Sequence, residues 1–145
     1  MGMVIKGKPV ADSITAEICA KTVELKEKGI VPILTIVRVG ERGDDIAYER
    51  AAIKRMEMCG IEARTVHMTE NIDEESFEKR LKEVNDSDCD GILLFLPLPK
   101  QLDYLKARTI ISREKDVDGV NPVNSAKLYE GDKSGFAPCT AKAVM

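Results

Sequence analysis

The run Gly91-Ile92-Leu93-Leu94-Phe95-Leu96-Pro97-Leu98-Pro99 limits the fold more than any other stretch of the chain. A strand covered on one face alternates apolar and polar residues, whereas a strand covered on both faces is apolar throughout. The run therefore predicts a buried parallel strand over 91–98, broken at its carboxyl end by prolines that cannot donate to a ladder. Open parallel α/β sheets bind their ligands at that end. A short way after it comes Lys115-Asp116-Val117-Asp118-Gly119, which places two carboxylates beside a glycine.

The rest of the chain supplies further strands and helices in alternation. Residues 11–28 carry Ile14, Ile18 and Leu25 at helical spacing, with Asp12 or Ser13 as a capping candidate and Gly29 as the stop, which predicts an amphipathic helix. Residues 32–39 are mostly apolar and β-branched and end at Gly40, so they read as the first strand. After a polar loop, Asp44 or Asp45 caps a helix that runs to about Cys59, with Tyr48, Ala51, Ala52, Arg55, Met56 and Cys59 along one side and Gly60 as its stop. A second strand is expected over 62–68. Asp73 then caps a helix whose Phe77, Leu81 and Val84 form an i, i+4, i+7 stripe. Beyond Pro99, a helical stretch near 102–111 leads into the loop at 115–119, and 141–145 reads as the opening of another helix. Three strands alternating with helices predict an α/β fold: a three-layer domain with a mainly parallel sheet flanked by helices.

Bulk properties narrow the function. A chain of 145 residues is one domain, large enough to bury a core without staples. Cys19, Cys59, Cys89 and Cys139 are widely scattered, with neither a C-x-x-C pair nor a histidine cluster, so no disulfide framework and no metal site is expected. The segment Met1–Lys6 is too short in its apolar part for a signal peptide, and no apolar run approaches the ~18 residues of a membrane helix. A cytoplasmic protein without membrane contact is the expectation. The net charge is −3, with both signs interspersed and few aromatics, which argues against nucleic acid as a partner.

Few residues carry recognisable chemistry. Tyr48 falls early on the helix after the first strand, where a phenol serves either as a half-buried packing residue or as a platform for a flat heterocycle. Asp118 either caps its loop or accepts a pair of N–H donors from a ligand, while Asp116 suits local turn hydrogen bonds. Leu96, Pro97, Leu98 and Pro99 would form an apolar wall. The lone histidine, His67, lies on the second strand without triad partners, and Cys139 reads as a packed thiol. No G-x-G-x-x-G occurs, so no dinucleotide fingerprint is present.

Taken in order and spacing, Tyr48 on its helix, Leu96-Pro97-Leu98-Pro99, Lys115-Asp116-Val117-Asp118-Gly119 and Pro138-Cys139-Thr140 resemble the catalytic domain of the bifunctional methylenetetrahydrofolate dehydrogenase/cyclohydrolase family over almost the whole chain. The resemblance implies that Tyr48 sits beside the folate ring, that Asp118 binds its amine and ring N–H, and that Phe95 and residues 96–99 line the substrate site. It also implies a catalytic lysine four residues after Tyr48, where this chain has Ala52, and a glutamine where it has Phe95. Lys54, six residues on, points away from the Tyr48 face. Arg55 returns to that face two turns along but is a poor proton carrier, so neither is more than a weak substitute. The nicotinamide cofactor, NADP or NAD, is implied to bind a separate Rossmann-type domain after Pro-Cys-Thr. Residues 1–145 are thus expected to be the folate-binding domain alone, without dehydrogenase turnover by itself, and the parent enzyme to be a homodimer with doubtful cyclohydrolase activity. The alternative is a non-catalytic or repurposed folate-like binding domain.

Overall fold

The structure is a computed structural model that describes residues 7–144; Met1–Lys6, judged above for a signal peptide, lie outside the described residues. Three strands, β1 (Ile33–Val39), β2 (Glu62–Met68) and β3 (Gly91–Leu94), form a parallel sheet in the order β2-β1-β3. The central strand runs as ILTIVRV, and its two faces feed different cores. Val37 and Val39 pack with Phe77, Leu81, Val84, Ile92, Leu94, Ala107 and Ile111, beneath helices α3 (Glu74–Asn85) and α4 (Tyr104–Ile110). Leu34 and Ile36 point the other way, with Phe95, and meet Ala52, Ile53 and Met56 of helix α2 (Gly43–Met58). Helices on both faces of a parallel sheet make the expected three-layer α/β arrangement.

Arg38 shares the parity of Leu34 and Ile36, and therefore faces α2. Its guanidinium is almost buried and pairs with Glu49 at 2.7 Å, while Nη1 donates to the Gly40 carbonyl. The same carbonyl lies 3.1 Å from His67 Nε2, which gives the lone histidine a structural partner at the end of β1.

Several boundaries differ from the sequence expectation for definable reasons. The strand predicted over 91–98 stops at Leu94, although the Phe95 N–H still donates to Val37 at 2.9 Å; beyond it Pro97 and Pro99 have no N–H to continue the ladder. Helix α1 spans Gly7–Glu27, so Asp12 and Ser13 are interior residues and not caps; Pro9 falls in the first turn, where no intrahelical N–H is needed. Its expected apolar stripe is covered only in part: Ile18 and Leu25 are half-buried, Ile14 is 52% exposed, and Thr22 is the one fully buried residue of the helix among those described. Asp44 and Asp45 lie inside the first turn of α2, where they complement the positive helix end, and the capping position is Arg42. Asp73 does cap α3, accepting from the Ser76 N–H at 2.8 Å, and Phe77, Leu81 and Val84 are buried as their spacing predicts.

Candidate functional site

The loop at 115–119 is not free-standing. Asp116 forms a parallel bridge to Ile92, and the Ile92 N–H donates to the Lys115 carbonyl at 2.7 Å, so the loop docks along the outer side of β3. Lys115 Nζ donates to the Asn85 and Ser87 carbonyls at 2.8 and 2.7 Å. Asp116 is 1% exposed and accepts from Val120 N, Asn121 N and Asn124 Nδ2 at 3.0, 2.8 and 2.8 Å. These are the local hydrogen bonds its place in the motif suggested. Gly119 completes the turn at φ 68°, and a Cβ there would stand 2.7 Å from the Phe136 carbonyl oxygen, so both conformation and space demand glycine. The result holds Asp118 at a fixed point beside the sheet, half-buried.

Asp118 and Tyr48 line the same cavity. It has a volume of about 370 Å³, lies over the α2 face of the sheet, and is walled chiefly by Leu34, Met56, Leu93 and Val117, with Cys139 at its rim. The Tyr48 ring is 59% exposed and stands 5.1 Å from the Phe95 ring at an interplanar angle of 36°. The apolar walls offer a flat ligand two faces, and the Tyr48 hydroxyl and the Asp118 carboxylate are the polar groups that would orient it. This cavity extends down the sheet face as far as Ile33 and Asp90, so it is not confined to the carboxyl edge.

The crevice at the carboxyl edge is a second cavity, of about 400 Å³. Pro97, Leu98 and Pro99 border it, together with Gly40, Arg42 and Gln101. The chain thus separates residues that the motifs group together: Tyr48 and Asp118 open onto one cavity, and Pro97–Pro99 onto the other. Phe95 is 6% exposed and acts as the floor under Tyr48, while Leu96 is 40% exposed with its carbonyl accepting from Arg42 Nη2 at 3.2 Å.

Ala52 packs against the Leu34, Ile36 and Phe95 cluster beneath Tyr48. Lys54 is exposed, and Arg55 turns to α1, donating to the Thr15 hydroxyl at 3.0 Å. Arg55 therefore does not reach back to Tyr48. Cys139 differs from the packed thiol expected: it is exposed, with Sγ 3.3 Å from the Val117 carbonyl. Partial desolvation of the sulfur against the Val117 backbone, followed by the neighbouring Asp118 carboxylate, pushes its pKa above the usual thiol range. Met56, Leu93 and Val117 were not anticipated as lining residues. Met56 lies two turns after Tyr48 on the same helix face, and that periodicity was the available signal.

Comparison with known proteins places the chain. Residues 5–118 match the family model described as "Tetrahydrofolate dehydrogenase/cyclohydrolase, catalytic domain". The bifunctional protein FolD of Clostridioides difficile strain 630 is 50% identical over 145 residues, covering 99% of this chain and 50% of that protein. The crystal structure of the bifunctional FolD enzyme from Campylobacter jejuni superposes with a TM-score of 0.89 at 36% identity, covering 92% of this chain and 48% of that one. The Trypanosoma brucei FolD structure, complexed with NADP cofactor and inhibitor, gives 0.91 at 33% identity, with 99% and 50% coverage. The chain spans about half the length of the curated relatives it matches.

Proposed function

Because the chain belongs to the tetrahydrofolate dehydrogenase/cyclohydrolase family, through that family's catalytic domain, we propose that it is the folate-binding part of a methylenetetrahydrofolate dehydrogenase. The reaction of such an enzyme moves a hydride from the methylene bridge of 5,10-methylenetetrahydrofolate to NADP or NAD. The observation that carries this reading is the convergence of Tyr48 and Asp118, distant in sequence, on one apolar cavity. A reduced pterin presents an amine and a ring N–H side by side, which the two oxygens of Asp118 accept as a pair. The Tyr48 ring, backed by Phe95, supplies a flat surface for the heterocycle. In this role Pro97, Leu98 and Pro99 serve the adjoining crevice and contact the part of the substrate that leaves the first cavity, while Leu96 joins them to the Phe95 floor.

The residues of this chain do not fit the dinucleotide. The turn between β1 and α2 is followed by Asp44 and Asp45, and Arg42 is already paired with Asp45 through two bonds of 2.8 Å. A pyrophosphate at that helix end would meet negative charge in place of free donors. We therefore place the nicotinamide cofactor in the half of the relatives' length that this chain does not span, and expect no dehydrogenase turnover from residues 1–145 alone. Hydrolysis of the methenyl intermediate needs a proton-transfer group near Tyr48. Ala52 has none and Arg55 faces α1, so we propose that cyclohydrolase activity is weak. A homodimer and a cytoplasmic location complete the proposal; the open outer edge of β2 supports the first and the four free cysteines the second.

Equilibrium binding of tetrahydrofolate to the chain tests the assignment. Asp118→Ala is expected to weaken binding by about 1–3 kcal/mol, the cost of leaving paired donors unsatisfied. Undiminished affinity in a folded variant, or equal affinity for unrelated heterocycles, would refute it and favour a repurposed binding domain.

A further inference from the structure

At the opposite end of α2 from Tyr48, the segments that carry Cys19 and Cys59 meet. Thr22, the buried residue of α1, donates its hydroxyl to the Cys59 carbonyl at 2.5 Å, with the Cys19 carbonyl 3.0 Å away. Cys19, one turn earlier on α1, has its sulfur 3.5 Å from the carbonyl of Met58, the residue next to Cys59. The Cys19 sulfur therefore lies against the backbone at the Cys59 end of α2, and the one Thr22 hydroxyl sits between the carbonyls of both cysteines. Gly60 follows at φ 73°, and a Cβ there would stand 3.3 Å from Thr22 Oγ1, so the close approach of the two segments depends on glycine. The Arg55–Thr15 bond ties the same seam one turn away. Cys19 is half-exposed, whereas Cys59 is 2% exposed. The other two cysteines sit elsewhere: Cys89 has its sulfur 3.5 Å from the Val84 carbonyl under α3, and Cys139 has its sulfur 3.3 Å from the Val117 carbonyl.

We propose that Cys19 and Cys59 are a redox-active dithiol, a modification site that closes to a disulfide by exchange with a low-molecular-weight disulfide. The accessible Cys19 loses its proton to solvent, and its thiolate attacks one sulfur of the small disulfide. The small S–S bond breaks, the Cys19–S–S–R bond forms, and the first thiolate leaves and takes a proton. Cys59 then loses its proton and attacks the Cys19 sulfur, releasing the second small thiol. Two protein thiols are oxidised and one small disulfide is reduced, so the electrons balance. The order follows from exposure, because a buried thiol resists ionisation and meets no reagent directly, yet is placed to resolve a neighbour. The closed bond straps α1 to the end of the helix that carries Tyr48, across a loop that contains all of β1 and α2.

The test is incubation of the chain with oxidised glutathione, followed by intact mass and peptide mapping. Expected is the loss of two hydrogens with a single new cross-link joining the peptides of Cys19 and Cys59, and Cys139, being exposed and alone, carrying at most a glutathione adduct. Cross-linking should raise the denaturation midpoint by about 5–10 °C, because it removes loop entropy from the unfolded chain, and dithiothreitol should reverse it. Cys59→Ser should trap glutathione on Cys19 as a stable adduct, and Cys59→Ala is the fallback if serine is not tolerated in the buried site. A stable glutathione adduct on Cys19 in the unsubstituted chain, a cross-link to any other cysteine, or no oxidation of Cys19 would each overturn the proposal.

Discussion

Replacing Asp116 by alanine tests whether the candidate site depends on a buried carboxylate that never faces the cavity. Three donors lose an acceptor: Val120 N, Asn121 N and Asn124 Nδ2. They do not suffer equally. Asn124 Nδ2 keeps its bond to the Arg113 carbonyl at 3.0 Å, and Val120 is only half-buried, so water can reach its N–H. Asn121 is 6% exposed and its N–H has no other acceptor, so it bears most of the penalty. Taking about 2 kcal/mol for Asn121 and about 1 for each of the others, the variant should lose roughly 4 kcal/mol. Asp116→Asn should lose about half of that, because its one oxygen can still serve the two donors on the Oδ2 side. Urea denaturation with an unchanged slope measures both. Because the same bonds fix the loop from which Asp118 projects, folate binding should weaken in Asp116→Ala even though position 116 touches no ligand. A loss below about 1 kcal/mol at constant slope would refute the reasoning and mean that water replaces the carboxylate.

Three further outcomes are expected. Cys139 ionises with difficulty partly because Asp118 is beside it, so Asp118→Asn should lower the thiol pKa and speed alkylation by iodoacetamide on the alkaline side of neutrality; an unchanged pH–rate profile would separate the two groups. Glu49→Gln should destabilise the fold by about 3 kcal/mol, because it leaves the Arg38 guanidinium nearly buried without its counter-charge; a neutral effect in thermal or urea unfolding would show that the Gly40 carbonyl suffices. In a chain extended to the length of its relatives, Ala52→Lys should raise methenyl hydrolysis by up to about 10²-fold, the lower end of what a positioned acid–base group contributes. Strong hydrolysis before the substitution would mean that another residue performs the proton transfer.

The features legible in the sequence are those set by local periodicity and by the chemistry of ends. Asp73 caps α3 because a short carboxylate just before a helix meets its free N–H groups, and Phe77, Leu81 and Val84 are buried because their spacing puts them on one face. The helix α5 (Pro122–Glu130) was equally legible and was missed. Asn121 caps it, accepting from Val123 N at 2.8 Å, Pro122 opens it, and Gly131 closes it in the left-handed conformation at φ 75°. Placing Asp118 was harder, since its position depends on non-local pairing: the bridge of Asp116 to Ile92 and the bonds of Lys115 to Asn85 and Ser87 join segments that no window of sequence brings together. The same limit explains the Pro-Leu-Pro segment. Its motif sits next to Phe95, and Phe95 touches Tyr48, so a linear reading assigns 95–99 to one wall. The pleat sends successive side chains to opposite sides, and the prolines then carry the chain away from the sheet face toward Gly40 and Gln101. Two cavities on either side of that turn, one apolar under Tyr48 and one bordered by Arg42 and Gln101, are what an extended ligand with a flat head and a polar tail requires, and the Asp118 and Asp116 variants test the head end of that arrangement.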